Sequence, residues 1–169
     1  FDEAQPGQPP YLAFSSLALA NVSTARSTDR GATFIKNPVG STSGGVPVDD
    51  RQWMEFYGKN TVYLLYRTVA PTIALVQRSD DGGLTYGPAT PVGTIGQVGG
   101  LDVDQNDGTV YVSGSTGVVA VGIPPAPGLQ PLSYTVHNVT GAGRANLFFT
   151  VKVANDGTVY VCYSDGKQV

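Results

Sequence analysis

A single eight-residue pattern occurs twice, and it restricts the fold more than any other feature of the chain. Ser27-Thr28-Asp29-Arg30-Gly31-Ala32-Thr33-Phe34 reads S-x-D-x-G-x-T-aromatic. Ser79-Asp80-Asp81-Gly82-Gly83-Leu84-Thr85-Tyr86 reads the same way, each matching position lying 52 residues later. Arg26 and Arg78 stand immediately before the two copies. These residue types describe a tight turn between strands. Asp29 and Asp81 are placed to accept hydrogen bonds from N–H groups of their own turn. Gly31 and Gly83 can take positive φ without a Cβ clash. Thr33 with Phe34, and Thr85 with Tyr86, restart a strand and are expected to bury the ring. Ser27 and Ser79 open the pattern. It reads as a hairpin lock rather than a catalytic site.

A second periodicity runs through the whole chain. Tyr11, Tyr63, Tyr111 and Tyr160 are separated by 52, 48 and 49 residues. The last three sit in Thr61-Val62-Tyr63-Leu64, Thr109-Val110-Tyr111-Val112 and Thr158-Val159-Tyr160-Val161, all strongly β-prone runs. Asn106-Asp107-Gly108 and Asn155-Asp156-Gly157 precede two of these runs as hairpin turn signals. The 22 glycines, 12 prolines and only 14% charged residues suit many short strands and argue against long helices. A strand-rich unit recurring about every fifty residues is the pattern of a radial or stacked β-array.

The doubled S-x-D-x-G-x-T-aromatic stretch resembles the Asp box, or bacterial neuraminidase repeat, of sialidase-like β-propellers. The resemblance implies an all-β chain: a partial β-propeller of four-stranded antiparallel blades, with roughly three blades' worth of strands. Residues 1–10 read as an entry linker and 11–48 as part of a first blade. Residues 49–96 form a second blade, 97–142 a third, and 143–169 the start of a fourth. In the third unit Pro124 to Pro131 stands where a box belongs, so that hairpin is remodelled. Propellers close with about four to eight blades, so the chain is expected to be an open arc or a fragment of a larger ring. Its expected partners are the remaining blades or another chain that completes them.

Asp49-Asp50-Arg51-Gln52-Trp53 falls where the innermost strand of the second blade should start, and the resemblance places propeller sites near that end. Asp50, Arg51 and Trp53 are therefore the candidate ligand-binding residues. Arg51 suits a two-pronged bond to a carboxylate, and Trp53 suits stacking on a sugar face. The structural alternative is an Asp50–Arg51 pair with Trp53 packed between blades. Sialidases as a family use three arginines on the substrate carboxylate, a tyrosine nucleophile with a glutamate partner, and an aspartate acid. The family's Phe/Tyr-Arg-x-Pro motif is absent here, and Glu3 and Glu55 are the only glutamates. Arg67 and Arg144 lie at strand ends. No catalytic residue is carried over.

Other classes find less support. Net charge is −3 and the pI near 4.9, which gives no basic patch for nucleic acid. No apolar run reaches membrane-spanning length. Asp102 to Gly108 lacks the glycine position and the closing acid of a calcium loop, so a plain turn is expected, with no metal and no cofactor. His137 reads as a strand surface residue, and Cys162, the lone cysteine, as a buried inert thiol. Leu17-Ala18-Leu19-Ala20 reads as strand, not signal peptide, because Asp2 and Glu3 replace a basic n-region. Low lysine content and the triplets Asn21-Val22-Ser23 and Asn138-Val139-Thr140 are compatible with a secreted or cell-surface protein. Three functions remain: a non-catalytic, glycan-directed recognition or scaffold propeller, a sialidase-type glycoside hydrolase completed by blades elsewhere, or a structural subunit of an extracellular assembly.

Overall fold

A computed structural model describes residues 11–18, 21–41, 48–126, 129–139 and 149–163. The entry stretch 1–10, Leu19 and Ala20, the 42–47 connector, Thr140, Arg144 and Leu147 lie outside the described residues. All regular structure among the described residues is β. Thirteen strands follow in order: β1 Leu12–Ala18, β2 Asn21–Ser27, β3 Ile35–Asn37, β4 Asp49–Tyr57, β5 Thr61–Thr68, β6 Ala74–Ser79, β7 Thr90–Pro91, β8 Val98–Val103, β9 Val110–Gly114, β10 Val118–Gly122, β11 Thr135–Asn138, β12 Thr150–Val153 and β13 Val159–Cys162. They form sheets β1-β2-β3, β4-β5-β6-β7, β8-β9-β10-β11 and β12-β13, each strand beside its neighbour in sequence. The chain divides into two compact units, 1–90 and 91–169.

In the first unit the first two sheets pack face to face. Val22, Leu64, Tyr66 and Leu75 are buried together, and Met54, Tyr86 and Ala89 close around them. The centre of β5 is buried on both faces, from Val62 to Tyr66. This explains why Thr61 to Tyr66 reads as a near-continuous apolar run rather than an alternating one. Burial also pushes the Tyr63 phenol up to about 12.

The two acidic turns have nearly superimposable hydrogen bonding. Thr33 donates to Asp29 from its N–H at 2.9 Å and from its hydroxyl at 2.6 Å. Thr85 does the same to Asp81, at 2.9 and 2.6 Å. The Ser27 hydroxyl donates to Asp29 at 2.7 Å and accepts the Gly31 N–H at 2.8 Å. Ser79 repeats this with Asp81 at 2.7 Å and Gly83 at 2.9 Å. Gly31 and Gly83 have φ of 88° and 91°, and the residue before each is left-handed too, Arg30 at 59° and Gly82 at 75°.

Two expectations fail here, one about a side chain and one about a strand. Tyr86 is largely enclosed, but Phe34 is 39% exposed and rests edge-on against Phe14, ring centroids 5.4 Å apart. The Tyr86 ring has Leu64, Tyr66 and Val22 around it, whereas the first sheet has no described sheet over Phe34. The strand expected from Tyr86 shrinks to Thr90–Pro91, since Pro88 and Pro91 remove the donors a longer ladder needs.

In the second unit, β12 lies beside β8. Asp102 of β8 is buried and its carboxylate accepts the Val153 N–H at 2.7 Å, with Lys152 Nζ at 3.5 Å. Ser113 donates to the Phe149 carbonyl at 2.8 Å. Gly99 is needed at this seam, because a Cβ there would sit 1.8 Å from the Phe149 oxygen. Asp104 takes the Asn106 N–H at 2.8 Å, and Asp107 takes the Thr109 N–H at 2.8 Å, so the Asp102–Gly108 stretch is a turn held by its own carboxylates. Cys162 is exposed, contrary to the buried thiol expected, because it shares the uncovered face of β12-β13 with Tyr160. His137 is exposed on β11.

Candidate functional site

The site expected at the start of β4 is built on a fault in strand pairing. From the Gly58-Lys59-Asn60 turn the β4–β5 hairpin runs in regular register, Tyr57 opposite Thr61 and Gln52 opposite Tyr66. Continued unchanged, that register would set Arg51 opposite Arg67, and like charges directly opposed destabilise a sheet. A bulge between Asp50 and Gln52 shifts the pairing, so that Asp50 faces Arg67 instead. The Asp50–Arg67 pair closes at 2.6 Å. Asp50 is partly exposed, so this pair contributes only about 0.5–1 kcal/mol, and its main consequence is to fix the strand ends.

Arg51 is the residue left over by the bulge. It takes φ of 55°, a left-handed conformation rare for a residue with a Cβ and costing roughly 1 kcal/mol or more. Its guanidinium makes no hydrogen bond or ion pair among the described residues, whereas both neighbouring carboxylates are engaged. Asp49 is buried and receives the Ser41 hydroxyl, and Ser41 in turn accepts the Val22 N–H at 3.2 Å. Trp53 is half-buried two residues on, paired with Leu65, and Glu55 lies opposite Tyr63. The structure thus brings Asp50, Arg51 and Trp53 onto one strand, but pairs Asp50 with Arg67 rather than with Arg51. Among the described residues none takes a donor of the Arg51 side chain, whose planar fork fits a carboxylate.

The remaining sequence-derived site residues, Ser27, Asp29, Gly31, Thr33, Phe34, Ser79, Asp81, Gly83, Thr85 and Tyr86, form the two turns described above. Their carboxylates are spent on local hydrogen bonds. Donation from the Thr33 hydroxyl and N–H, with Ser27, brings Asp29 from 3.8 to about 2. For Asp81 burial is the largest influence and raises the pKa, but bonds from Thr85, Ser79 and Leu84 together outweigh it and lower the net value. Neither is arranged as a proton donor near neutral pH. No group of His, Cys, Asp and Glu among the described residues could hold a metal ion.

Sequence reasoning did not find the Ser41–Asp49 link or the Asp50–Arg67 pair. The second had a signal in principle: counting back from the turn opposes Arg51 to Arg67, a conflict that a bulge relieves.

No protein-family model and no curated protein sequence matches the chain. Solved structures do. Over 93% of its length the chain is similar to the NanB sialidase from Streptococcus pneumoniae, with a TM-score of 0.64 at 14% identity. A second NanB structure gives 0.65 over the same share. An α-L-arabinanase from Penicillium chrysogenum matches over 94% of the chain, with a TM-score of 0.50 at 15% identity. The fold is that of a β-propeller. The chain spans 26% of NanB and 54% of the arabinanase, so it corresponds to part of each propeller. At such identity the likeness concerns the backbone alone, and chemistry has to be argued from this chain's own residues.

Proposed function

We propose that the chain is a segment of a sialidase-like propeller that recognises an acidic glycan at the start of β4, without itself performing hydrolysis. The observation that carries this reading is Arg51, a guanidinium with no hydrogen bond or ion pair among the described residues, on a strained bulge two residues before Trp53. Strain at a residue with no structural partner is a reason to look for a ligand. A sugar carboxylate would take the two-pronged bond, and Trp53 would lie against an apolar ring face. Asp49 and Asp50 are already committed to Ser41 and Arg67, which supports binding over acid–base work at this end of the strand.

The two acidic turns are read as Asp boxes with a purely mechanical role, supported by their matched Ser, Asp and Thr hydrogen bonds. The partners proposed are further blades, from the same or another chain. Tyr63 is fully buried, while Tyr160, at the same place in the repeat, is 61% exposed, so the β12-β13 sheet presents a face that its counterpart covers. A secreted or cell-surface location fits glycan recognition.

The second reading is a sialidase-type glycoside hydrolase whose site is completed by blades outside this chain. It is favoured by the NanB and arabinanase likeness. A third is a structural subunit of an extracellular assembly, favoured by the uncovered face at Tyr160. Titration of the protein with a sialylated trisaccharide and its neutral parent, followed by NMR, separates them. Selective binding of the acidic sugar that is lost in Arg51→Ala is expected. Turnover of a fluorogenic sialoside replaces the first reading by the second. Equal indifference to both sugars favours the third.

A further inference from the structure

The strand that carries Arg51 is one residue longer than the strand it pairs with. Tyr57 lies opposite Thr61 at one end and Asp49 opposite Thr68 at the other, so the nine residues of β4 are matched to the eight of β5. Arg51 is left over only while both ends keep these partners. The Gly58-Lys59-Asn60 turn fixes the first end, since hairpin register follows from the turn. At the second end, backbone bonds such as Val69 N–H to the Val48 oxygen at 2.8 Å can re-form one residue along, so they do not choose the register.

Two side-chain contacts do choose it. The Asp50–Arg67 pair is partly open to water and weak. The other contact is buried. Ser41 donates its hydroxyl to the Asp49 carboxylate and accepts the Val22 N–H at 3.2 Å, and its own N–H donates to the Val22 oxygen at 3.3 Å. Gly40 N–H reaches the same oxygen at 2.7 Å, and a Cβ at Gly40 would stand 2.7 Å from the Thr24 methyl. Residues 40 and 41 are thus docked on β2 at Val22, which is buried with Leu64 and Tyr66 of β5. Tyr66 is in turn the partner of Gln52, the first residue past the bulge. The path from Tyr66 through Val22, Ser41 and Asp49, and back through Gln52, closes around Asp50 and Arg51.

We propose that Ser41 is the positioning residue for Arg51: its bond to Asp49 holds β4 in the bulged register and so keeps Arg51 left-handed. A one-residue slip to the regular register would carry Asp49 about 3.3 Å along the strand and turn its side chain to the opposite face, away from Ser41. A buried carboxylate would lose a hydroxyl donor, which opposes the slip. Without the hydroxyl that restraint is gone, and a residue with a Cβ is left-handed only a minor part of the time unless its surroundings demand it. The consequence for binding rests on the acidic-glycan reading. If the left-handed fraction of Arg51 falls to about a tenth, affinity for an acidic sugar falls about tenfold.

The test is NMR of Ser41→Ala well below its melting temperature. It follows the intraresidue HN–Hα coupling and contact of Arg51, which report positive φ, and titration with the sialylated trisaccharide. The expected result is loss of the positive-φ signature and binding weakened about tenfold or more. Ser41→Thr, which keeps the hydroxyl, should retain both. Should Ser41→Ala not fold, Asp49→Asn takes its place: a neutral acceptor weakens the bond to Ser41, so Arg51 should exchange between left-handed and extended forms. An unchanged Arg51 signature in the folded variant overturns the proposal, whatever happens to stability. So does a changed signature with unchanged affinity for the sugar. If the parent chain ignores the sugar, the recognition reading fails, while the Arg51 signature still decides the role of Ser41.

Discussion

Arg26 donates from its guanidinium to the main-chain oxygen of Asp81, joining the residue before the first acidic turn to the second turn itself. The two turns are therefore links between sheets as well as local locks. Asn37 adds a second tie, donating to the Leu84 carbonyl at 2.7 Å. The second turn also donates outward, from Gly82 N–H to the Asn60 oxygen at 2.7 Å.

Gly82 is where these constraints meet. Its φ is 75°, and a Cβ there would stand 2.7 Å from Cδ of Arg26. Gly82→Ala should destabilise the protein by about 1–3 kcal/mol, from backbone strain and displacement of the Arg26 side chain. Urea unfolding measures this. An unchanged midpoint would show that the Arg26 passage is slack.

Asp81→Ala removes the acceptor for the Thr85 N–H and hydroxyl and for the Leu84 N–H. A loss of about 1–2 kcal/mol is expected, the lower part of the range for bonds to a charged group because water reaches the turn. The sugar binding proposed for Arg51 should survive. Loss of stability and of binding in strict proportion would instead tie the turn to the site.

Acid should loosen these turns. The hydrogen bonds of Thr33 and Ser27 hold Asp29 at about 2 against an ordinary 3.8, and Asp156 is lowered by the N–H and hydroxyl of Thr158. A carboxyl depressed on folding stabilises the native state above its unfolded pKa, and that contribution fades as pH falls through the folded value. Stability measured by urea should therefore be level above about pH 5 and decline between about pH 4 and pH 2. In an Asp29→Asn, Asp81→Asn double variant the decline should be shallower; the same slope as the parent would assign acid sensitivity to other groups.

The Tyr86 hydroxyl is buried without a hydrogen-bond partner among the described residues, and burial drives its pKa upward. Removing a buried unsatisfied group is favourable, so Tyr86→Phe should leave stability unchanged or raise it by up to about 1 kcal/mol. The first repeat already has Phe34 at this position. A clear loss in calorimetry would mean the hydroxyl is bonded in solution.

Arg51→Gly opposes stability to function. Glycine accepts φ of 55° without strain, so the variant should gain roughly 0.5–1 kcal/mol in thermal or chemical unfolding. It should also lose the acidic sugar. Retained binding would remove Arg51 from the site.

The sequence alone determined what acts over a few residues. Asp29 and Thr33 are four apart, as are Asp81 and Thr85, so their turns could be read from spacing and hydrogen-bonding capacity. The strands around Tyr63, Tyr111 and Tyr160 were legible for the same reason, since β-prone runs between Gly- and Asn-rich turns need no distant partner to be recognised. Tertiary structure alone decided which of these equivalent positions are covered. Phe34 and Cys162 are exposed and Tyr86 enclosed because burial depends on whether another sheet lies over the face, which no local pattern encodes. It also decided the geometry of the candidate site. The Arg26–Asp81 bond spans 55 residues, and Asp50 meets Arg67 only because a bulge at Arg51 shifts the register. Such pairings are set by competition between charges across strands, and a one-dimensional pattern shows the competitors but not the outcome.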